Sequence, residues 1–117
     1  MDKTFVETRE FTEWVKEYLS DDALADLQRE LLNDPDTGSV MPGCGGLRKM
    51  RAADPRRGKG KRGGVRVIYL HLAELNQIHL ITVYGKDQKD DLSIDDKKLY
   101  RQFVQTLKDR AGRTRET

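Results

Sequence analysis

Apolar residues along the 117-residue chain change their spacing several times, and each change marks a new element. Thr4-Phe5-Val6-Glu7 is short and β-prone; after it Phe11, Trp14, Val15 and Tyr18 recur at helical spacing, with Thr8 placed to cap the helix. Ser20-Asp21-Asp22 reads as a second cap with acidic first-turn residues. It opens a helix whose apolar stripe is Leu24, Leu27 and Leu31 and which stops before Pro35. Asp34-Pro35-Asp36-Thr37-Gly38 is turn chemistry, and the stretch to Gly46 reads as loop with room for a short extended piece. From Leu47 the period falls to two, so Leu47, Lys49 and Arg51 share one face of an extended segment while Arg48 and Met50 share the other. Val65 to Leu72 and Ile78 to Tyr84 are strongly β-prone and are joined by the turn residues Glu74-Leu75-Asn76-Gln77, which predicts an antiparallel hairpin. Both runs are apolar on both faces, the mark of a sheet centre covered by helices. Ser93, followed by Asp95 and Asp96, caps a last helix with the stripe Leu99, Phe103 and Leu107, Tyr100 and Val104 beside it, and fraying from Ala111. The order strand, helix, helix, three strands, helix predicts an α+β domain. Its sheet is mainly antiparallel and is packed by two N-terminal helices and one C-terminal helix. This length supports one domain, expected over residues 1–110, with a flexible tail over 111–117.

Composition then removes whole classes of protein. Hydrophobic and charged residues each make up 36%, polar for a globular chain but without the one-sided charge of a disordered one. No apolar run approaches the roughly 20 residues of a bilayer span. The start, Met1 to Glu7, lacks the basic-then-apolar layout of a signal peptide, so a soluble, cytoplasmic protein with no membrane partner is expected. Cys44 is the only cysteine, and with only His71 and His79 beside it neither an internal disulfide nor a usual structural zinc set can be assembled. No metal or cofactor is expected.

The formal net charge of +2 conceals a strong asymmetry. Residues 1–40 carry 4 Lys/Arg against 11 Asp/Glu, residues 41–86 carry 10 against 2, and residues 87–117 carry 8 against 7. In the middle block Arg48, Lys49, Arg51, Arg56, Arg57, Lys59, Lys61, Arg62 and Arg66 are opposed only by Asp54, and much of the run lies in a glycine-rich loop. Such crowding is self-repulsive, and nucleic-acid phosphate is the simplest counter-ion that relieves it; a solvated loop is the alternative.

Other features carry less. Gly43-Cys44-Gly45-Gly46 matches neither a P-loop nor a dinucleotide fingerprint, and Cys44 reads as an incidental loop thiol. His71 and His79 flank the hairpin turn, where they could be cross-strand neighbours, and read as sheet residues. The Phe11, Trp14 and Tyr18 cluster lies in the acidic block and reads as core or partner-facing surface. Asp87, Asp90, Asp91, Asp95 and Asp96 lack the glycine and terminal Glu of a calcium loop and read as capping, solubilising residues.

What remains is the basic set together with Tyr84. Arg66 heads an otherwise apolar strand, and Tyr84-Gly85-Lys86 ends its neighbour. RNA cleavage by the adjoining 2′-OH needs a base for that hydroxyl, cations for the pentacoordinate phosphorane and an acid for the leaving 5′-oxygen. Lys, Arg and Tyr can supply all three, and crowding by like charges favours the neutral amine, so Lys49 or Lys86 is a candidate base. A phosphate-binding patch without chemistry is the alternative.

Gly46-Leu47-Arg48-Lys49-Met50-Arg51, the stretch Gly58 to Tyr69 and Leu80-Ile81-Thr82-Val83-Tyr84-Gly85-Lys86 together resemble the RelE/ParE toxin superfamily, most closely the HigB-type RelE toxins of bacterial type II toxin–antitoxin modules. The resemblance runs from Phe5 to about Lys108 and implies the family's small microbial-ribonuclease-like fold. It further implies a ribosome-dependent endoribonuclease that enters the A site of the 70S ribosome and cuts mRNA without a metal, until a cognate antitoxin sequesters it. The free toxin is expected to be monomeric and its antitoxin complex of higher order. Lys49 and Arg51 match the family's paired basic positions before the loop, and Arg66 matches its arginine at the start of the next strand. The RelE branch also has a basic residue after the Gly-Lys step and a tyrosine in the C-terminal segment. Here Asp87 follows Lys86 and no tyrosine lies between Asp87 and Leu99, so Tyr84 is the substitute acid. The catalytic set is therefore expected to be Lys49, Arg51, Arg66, Tyr84 and Lys86, with Arg48, Arg56, Arg57, Lys59, Lys61 and Arg62 binding RNA. A gyrase inhibitor of the ParE type, a non-catalytic nucleic-acid-binding module and a decayed toxin stay open as alternatives.

Overall fold

The structure, a computed structural model, describes residues 3–53, 64–86 and 92–116. Strand β1 (Thr4–Glu7) runs directly into α1 (Arg9–Tyr18), where Thr8 stays extended and its hydroxyl accepts the Phe11 N–H at 3.0 Å. That hydroxyl also donates to the Ile81 carbonyl at 2.6 Å, so one residue both caps the helix and pins it to the sheet. Ser20 repeats the cap for α2 (Asp21–Asn33): its Oγ accepts the Ala23 N–H at 3.1 Å, and Asp21 and Asp22 sit in the electropositive first turn.

The rest of the chain supplies β2 (Ser39–Val40), β3 (Arg48–Ala52), β4 (Val65–Leu72), β5 (Gln77–Gly85) and α3 (Ile94–Glu116). The five strands lie in the order β1-β5-β4-β3-β2, and every pairing is antiparallel except β1 with β5. The α+β class and the hairpin are as the sequence pattern predicts. The hairpin turn is a short 3-10 turn over Ala73–Leu75, closed by Asn76 at φ 53°, a left-handed conformation that Asn tolerates better than most residues.

The sheet is covered on both faces, as its doubly apolar strands require. On one face Val65, Val67, Tyr69, Ile78, Leu80 and Val83 pack against Phe11, Val15, Leu27 and Leu31 of α1 and α2. On the other, Ile68, Leu70, Ile81 and Tyr84 pack with Leu47, Cys44 and Met41 beneath Val104 of α3. The register slips between Ile68↔Thr82 and Tyr69↔Leu80, leaving Ile81 as an extra residue. This bulge lets Leu80 and Val83 serve one core while Ile81 and Tyr84 serve the other.

Three details differ from the sequence expectation. Of the expected α3 stripe, Phe103 and Leu107 pack against the core but Leu99 is 64% exposed, because the helix is centred on the buried Val104 and Ala111 with Tyr100 beside them. The helix also runs on to Glu116, past the expected fraying point at Ala111. Cys44 is packed in the core, with its thiol 3.5 Å from the Pro42 carbonyl, and is not an incidental loop residue.

The turn between α2 and β2 is clamped from below. The buried Tyr69 hydroxyl accepts the Gly38 N–H at 2.9 Å and donates to the Pro35 carbonyl at 2.8 Å. Burial pushes the Tyr69 phenol above its ordinary range, against the opposing effect of the Gly38 bond. A Cβ at position 38 would lie 2.8 Å from Tyr69 Cε1 and 3.0 Å from the Lys49 carbonyl, so only glycine fits there.

Candidate functional site

Register decides which basic residues meet. Arg51 pairs with Arg66 and Arg66 with Tyr84, one row running across β3, β4 and β5; in the next row on the same face Lys49 pairs with Ile68 and Ile68 with Thr82. Lys86 follows β5, and its backbone N–H donates to the Gly64 carbonyl at 3.2 Å, closing the open end of the hairpin beside Arg66. Lys49, Arg51, Arg66 and Lys86 line one cleft of about 560 Å3, within the size range of ligand sites. Its remaining wall is Glu30 of α2, Thr37, Gly38 and Ser39 of the clamped turn, and Met50.

Among the described residues the cleft thus holds four cationic side chains against a single carboxylate. Two arginines directly opposite each other on adjacent strands destabilise a sheet unless an anion lies between them. Arg66 is only 5% exposed, so its guanidinium is already held by packing and loses little freedom when it engages a ligand. Arg51, by contrast, is exposed at the mouth. Strands β3 and β4 pair up to Ala52↔Val65, so both stems of the connection between them stand at this end of the sheet. Arg56, Arg57, Lys59, Lys61 and Arg62 lie outside the described residues.

Arg48 departs from the expected RNA-binding group. It pairs with Tyr69 on the opposite face of β3, where its Nη1 donates to the Gly38 carbonyl at 2.7 Å and the Asp36 carbonyl at 3.0 Å, and its Nε lies 3.6 Å from the Asp36 carboxylate. A one-residue step along a strand reverses the side chain, which puts Arg48 in the turn clamp and Lys49 in the cleft. Tyr84 shares the row of Arg66 but does not line the cleft; its ring is buried in the core beneath α3, 3% exposed, and faces a second cavity.

The histidines are likewise separated. Leu70 pairs with His79 and His71 with Ile78, so the two rings lie on opposite faces and not side by side. His71 Nδ1 is 3.1 Å from Asp36 Oδ1 and its Nε2 is 2.9 Å from Lys3 Nζ, while His79 Nε2 is 2.9 Å from Gln77 Oε1. Burial holds the His79 imidazole below its ordinary range. Ser93 caps α3 as expected, its Oγ accepting the Asp96 N–H at 3.0 Å. Glu30, Thr37 and Ser39 were invisible to sequence reasoning because they meet the cleft only once α2 has packed on the sheet and β2 has returned against β3.

Comparison with known proteins agrees with this architecture. Residues 3–114 match the family described as the RelE toxin of the RelE / RelB toxin-antitoxin system. Among solved structures, a mutant Escherichia coli toxin RelE in the free state is similar, with 19% identity, a TM-score of 0.52, and 77% of this chain and 90% of that chain covered. The intact E. coli RelBE toxin-antitoxin complex is also similar, at 18% identity and a TM-score of 0.50, covering 71% of this chain and 95% of that chain. At these identities the structural likeness speaks for the fold.

Proposed function

The chain belongs to the RelE toxin family, and on that footing we propose that it is a metal-independent, ribosome-dependent mRNA endonuclease acting in the A site. The observation that carries this reading is the pairing of Arg51 with Arg66 in a cleft shared by Lys49 and Lys86. In the proposed reaction the 2′-oxygen of one nucleotide attacks the adjoining phosphorus and the bond from phosphorus to the 5′-oxygen breaks. The 2′-OH proton passes to a base, and the departing 5′-oxygen takes a proton from an acid. Arg66, pre-packed at the cleft floor, and Arg51, opposite it, bind the non-bridging oxygens as negative charge builds on the phosphorane. Lys49 and Lys86 share the cleft with this pair and are assigned the proton transfers.

Tyr84 has a weaker claim to the acid role, because reaching the cleft from beneath α3 would require its ring to leave the core. The cations of the connection between β3 and β4, Arg56, Arg57, Lys59, Lys61 and Arg62, are assigned to phosphates of mRNA and ribosomal RNA. Substrate of this kind places the protein with translating ribosomes in the cytoplasm, and no helix among the described residues is long and apolar enough to cross a membrane. A cognate antitoxin is the proposed protein partner, by likeness to the RelBE complex.

The test is primer extension on an mRNA translated in vitro with purified protein, with and without ribosomes. Discrete cuts that need ribosomes are expected. Intact transcripts under conditions where the protein arrests growth would overturn the reading in favour of gyrase inhibition or binding without chemistry.

A further inference from the structure

The far edge of the sheet carries a second site, remote in chemistry from the basic cleft. Strand β1 pairs with Gln77 to Leu80 only, so along the C-terminal half of β5 the outer edge is covered by α1. Where the start of α3 meets this edge, Trp14 and Tyr18 of α1, Tyr84 of β5 and Tyr100 of α3 line a cavity of about 320 Å3 together with Glu10 and Asp96. Four aromatic rings come from three separate elements, and among the described residues no lysine or arginine lines the space. The Tyr100 hydroxyl donates to Glu10 Oε2 at 2.7 Å, which fixes the carboxylate at the rim and ties α3 to α1. Burial and that bond push the Tyr100 phenol far above its ordinary range, so it stays a neutral donor.

Aromatic rings combined with carboxylates are the chemistry that holds an organic cation. The surroundings reinforce it, since residues 1–40 carry 11 Asp/Glu against 4 Lys/Arg. Directly beside this cage, sharing Glu10 and Tyr100 as a common wall, lies a mainly apolar groove of about 440 Å3 formed by Ile81, Leu99 and Phe103 with Thr8 and Arg9 at its side; the Arg9 guanidinium is turned to Glu13, 3.1 Å away. Leu99 stands 64% exposed there and Trp14 52% exposed in the cage, so both halves are open to solvent.

We propose that cage and groove together form a docking site for a polypeptide partner, which inserts an arginine or lysine side chain between the rings and an adjacent aliphatic side chain against Leu99 and Phe103. An inorganic cation has no use for the rings, and a free amine has none for the groove; a basic residue next to an aliphatic one uses both. The inference is independent of the cleavage reading.

Trp14 is the only tryptophan of the chain, so its fluorescence reports on the cage directly. Four probes are titrated at constant ionic strength: tetramethylammonium, acetyl-arginine amide, and the capped dipeptides Leu-Arg and Arg-Leu. A saturable change is expected with each, and at least one dipeptide should bind about fivefold or more tighter than acetyl-arginine amide, because it also buries an aliphatic side chain. Combining Glu10→Gln with Asp96→Asn should weaken every probe at least about fivefold, the loss of two negative charges near a cation. Leu99→Ala, at an exposed position that folding does not depend on, should remove only the dipeptide's advantage. Unsaturable quenching, or titrations unchanged by the charge substitutions, would overturn the site. Dipeptides no tighter than acetyl-arginine amide would overturn the polypeptide partner and leave a pocket for free cations.

Discussion

Removing a single oxygen, by Tyr69→Phe, tests how firmly the clamp holds the turn that walls the cleft. The ring of Tyr69 is fully buried, and its hydroxyl bridges the Gly38 N–H at 2.9 Å and the Pro35 carbonyl at 2.8 Å. Phenylalanine fills the same space, so no cavity larger than the lost oxygen opens. On the donor side the buried Gly38 N–H loses its partner, which costs about 1–3 kcal/mol; on the acceptor side the half-buried Pro35 carbonyl turns toward water, which costs about 0.5–1 kcal/mol. The expected loss is about 1.5–4 kcal/mol, or a fall in Tm on the order of 10 °C for a chain of this size. Urea unfolding followed by circular dichroism measures it, and the slope with denaturant should match the wild type. Thr106→Ala is the control: Thr106 Oγ1 donates to the Gln102 carbonyl on the exposed side of α3, and its removal should change stability by less than about 0.5 kcal/mol. A Tyr69→Phe loss below about 0.5 kcal/mol would refute the clamp.

Three further outcomes follow from the geometry. Arg48→Met should cost about 1–2 kcal/mol, since it strips two carbonyls and Asp36 of their partner, while leaving the rate of RNA cleavage within about threefold of wild type below the melting range; a large rate loss with unchanged stability would return Arg48 to the RNA face. Because burial lowers the His79 pKa, protonation favours the unfolded chain: the stability this histidine contributes is intact above about pH 6.5 and is lost as pH falls through that value and below. His79→Gln should therefore flatten the fall of unfolding free energy between about pH 7 and pH 5, and equal slopes would contradict the burial argument. Gly45→Ala should destabilise by about 1–3 kcal/mol in thermal melts, because φ is +71° there and a Cβ would press within 3.0 Å of Val104 Cγ1; an unchanged Tm would show that the loop can move away from α3.

Local chemistry explains which parts were legible in the sequence. Thr8, Ser20 and Ser93 declared their helices because a capping hydroxyl acts within three residues, and the hairpin declared itself because both strands are adjacent in sequence and apolar on both faces. Period two put Lys49 and Arg51 on one face, and register then carried them to Arg66. What stayed hidden depends on long-range placement. Arg48 has the same side-chain chemistry as Arg51, and only the fold reveals that the Asp36 turn claims it. Leu99 looked like a core residue until α3 docked through Val104 and left its first turn exposed, and Tyr84 looked available until that same helix covered it. The aromatic cage draws its walls from residues as distant as Glu10 and Tyr100, a juxtaposition that no local pattern encodes.

The central claim is that the Arg51–Arg66 row is a catalytic phosphate site, and single-turnover cleavage of mRNA on programmed ribosomes by wild type and Arg66→Ala tests it most directly. The account predicts that Arg66→Ala still sediments with ribosomes but cleaves at least about a hundredfold more slowly, the scale seen when one preorganised electrostatic contact to a transition state is removed. Cleavage by Arg66→Ala within about threefold of the wild-type rate would contradict it.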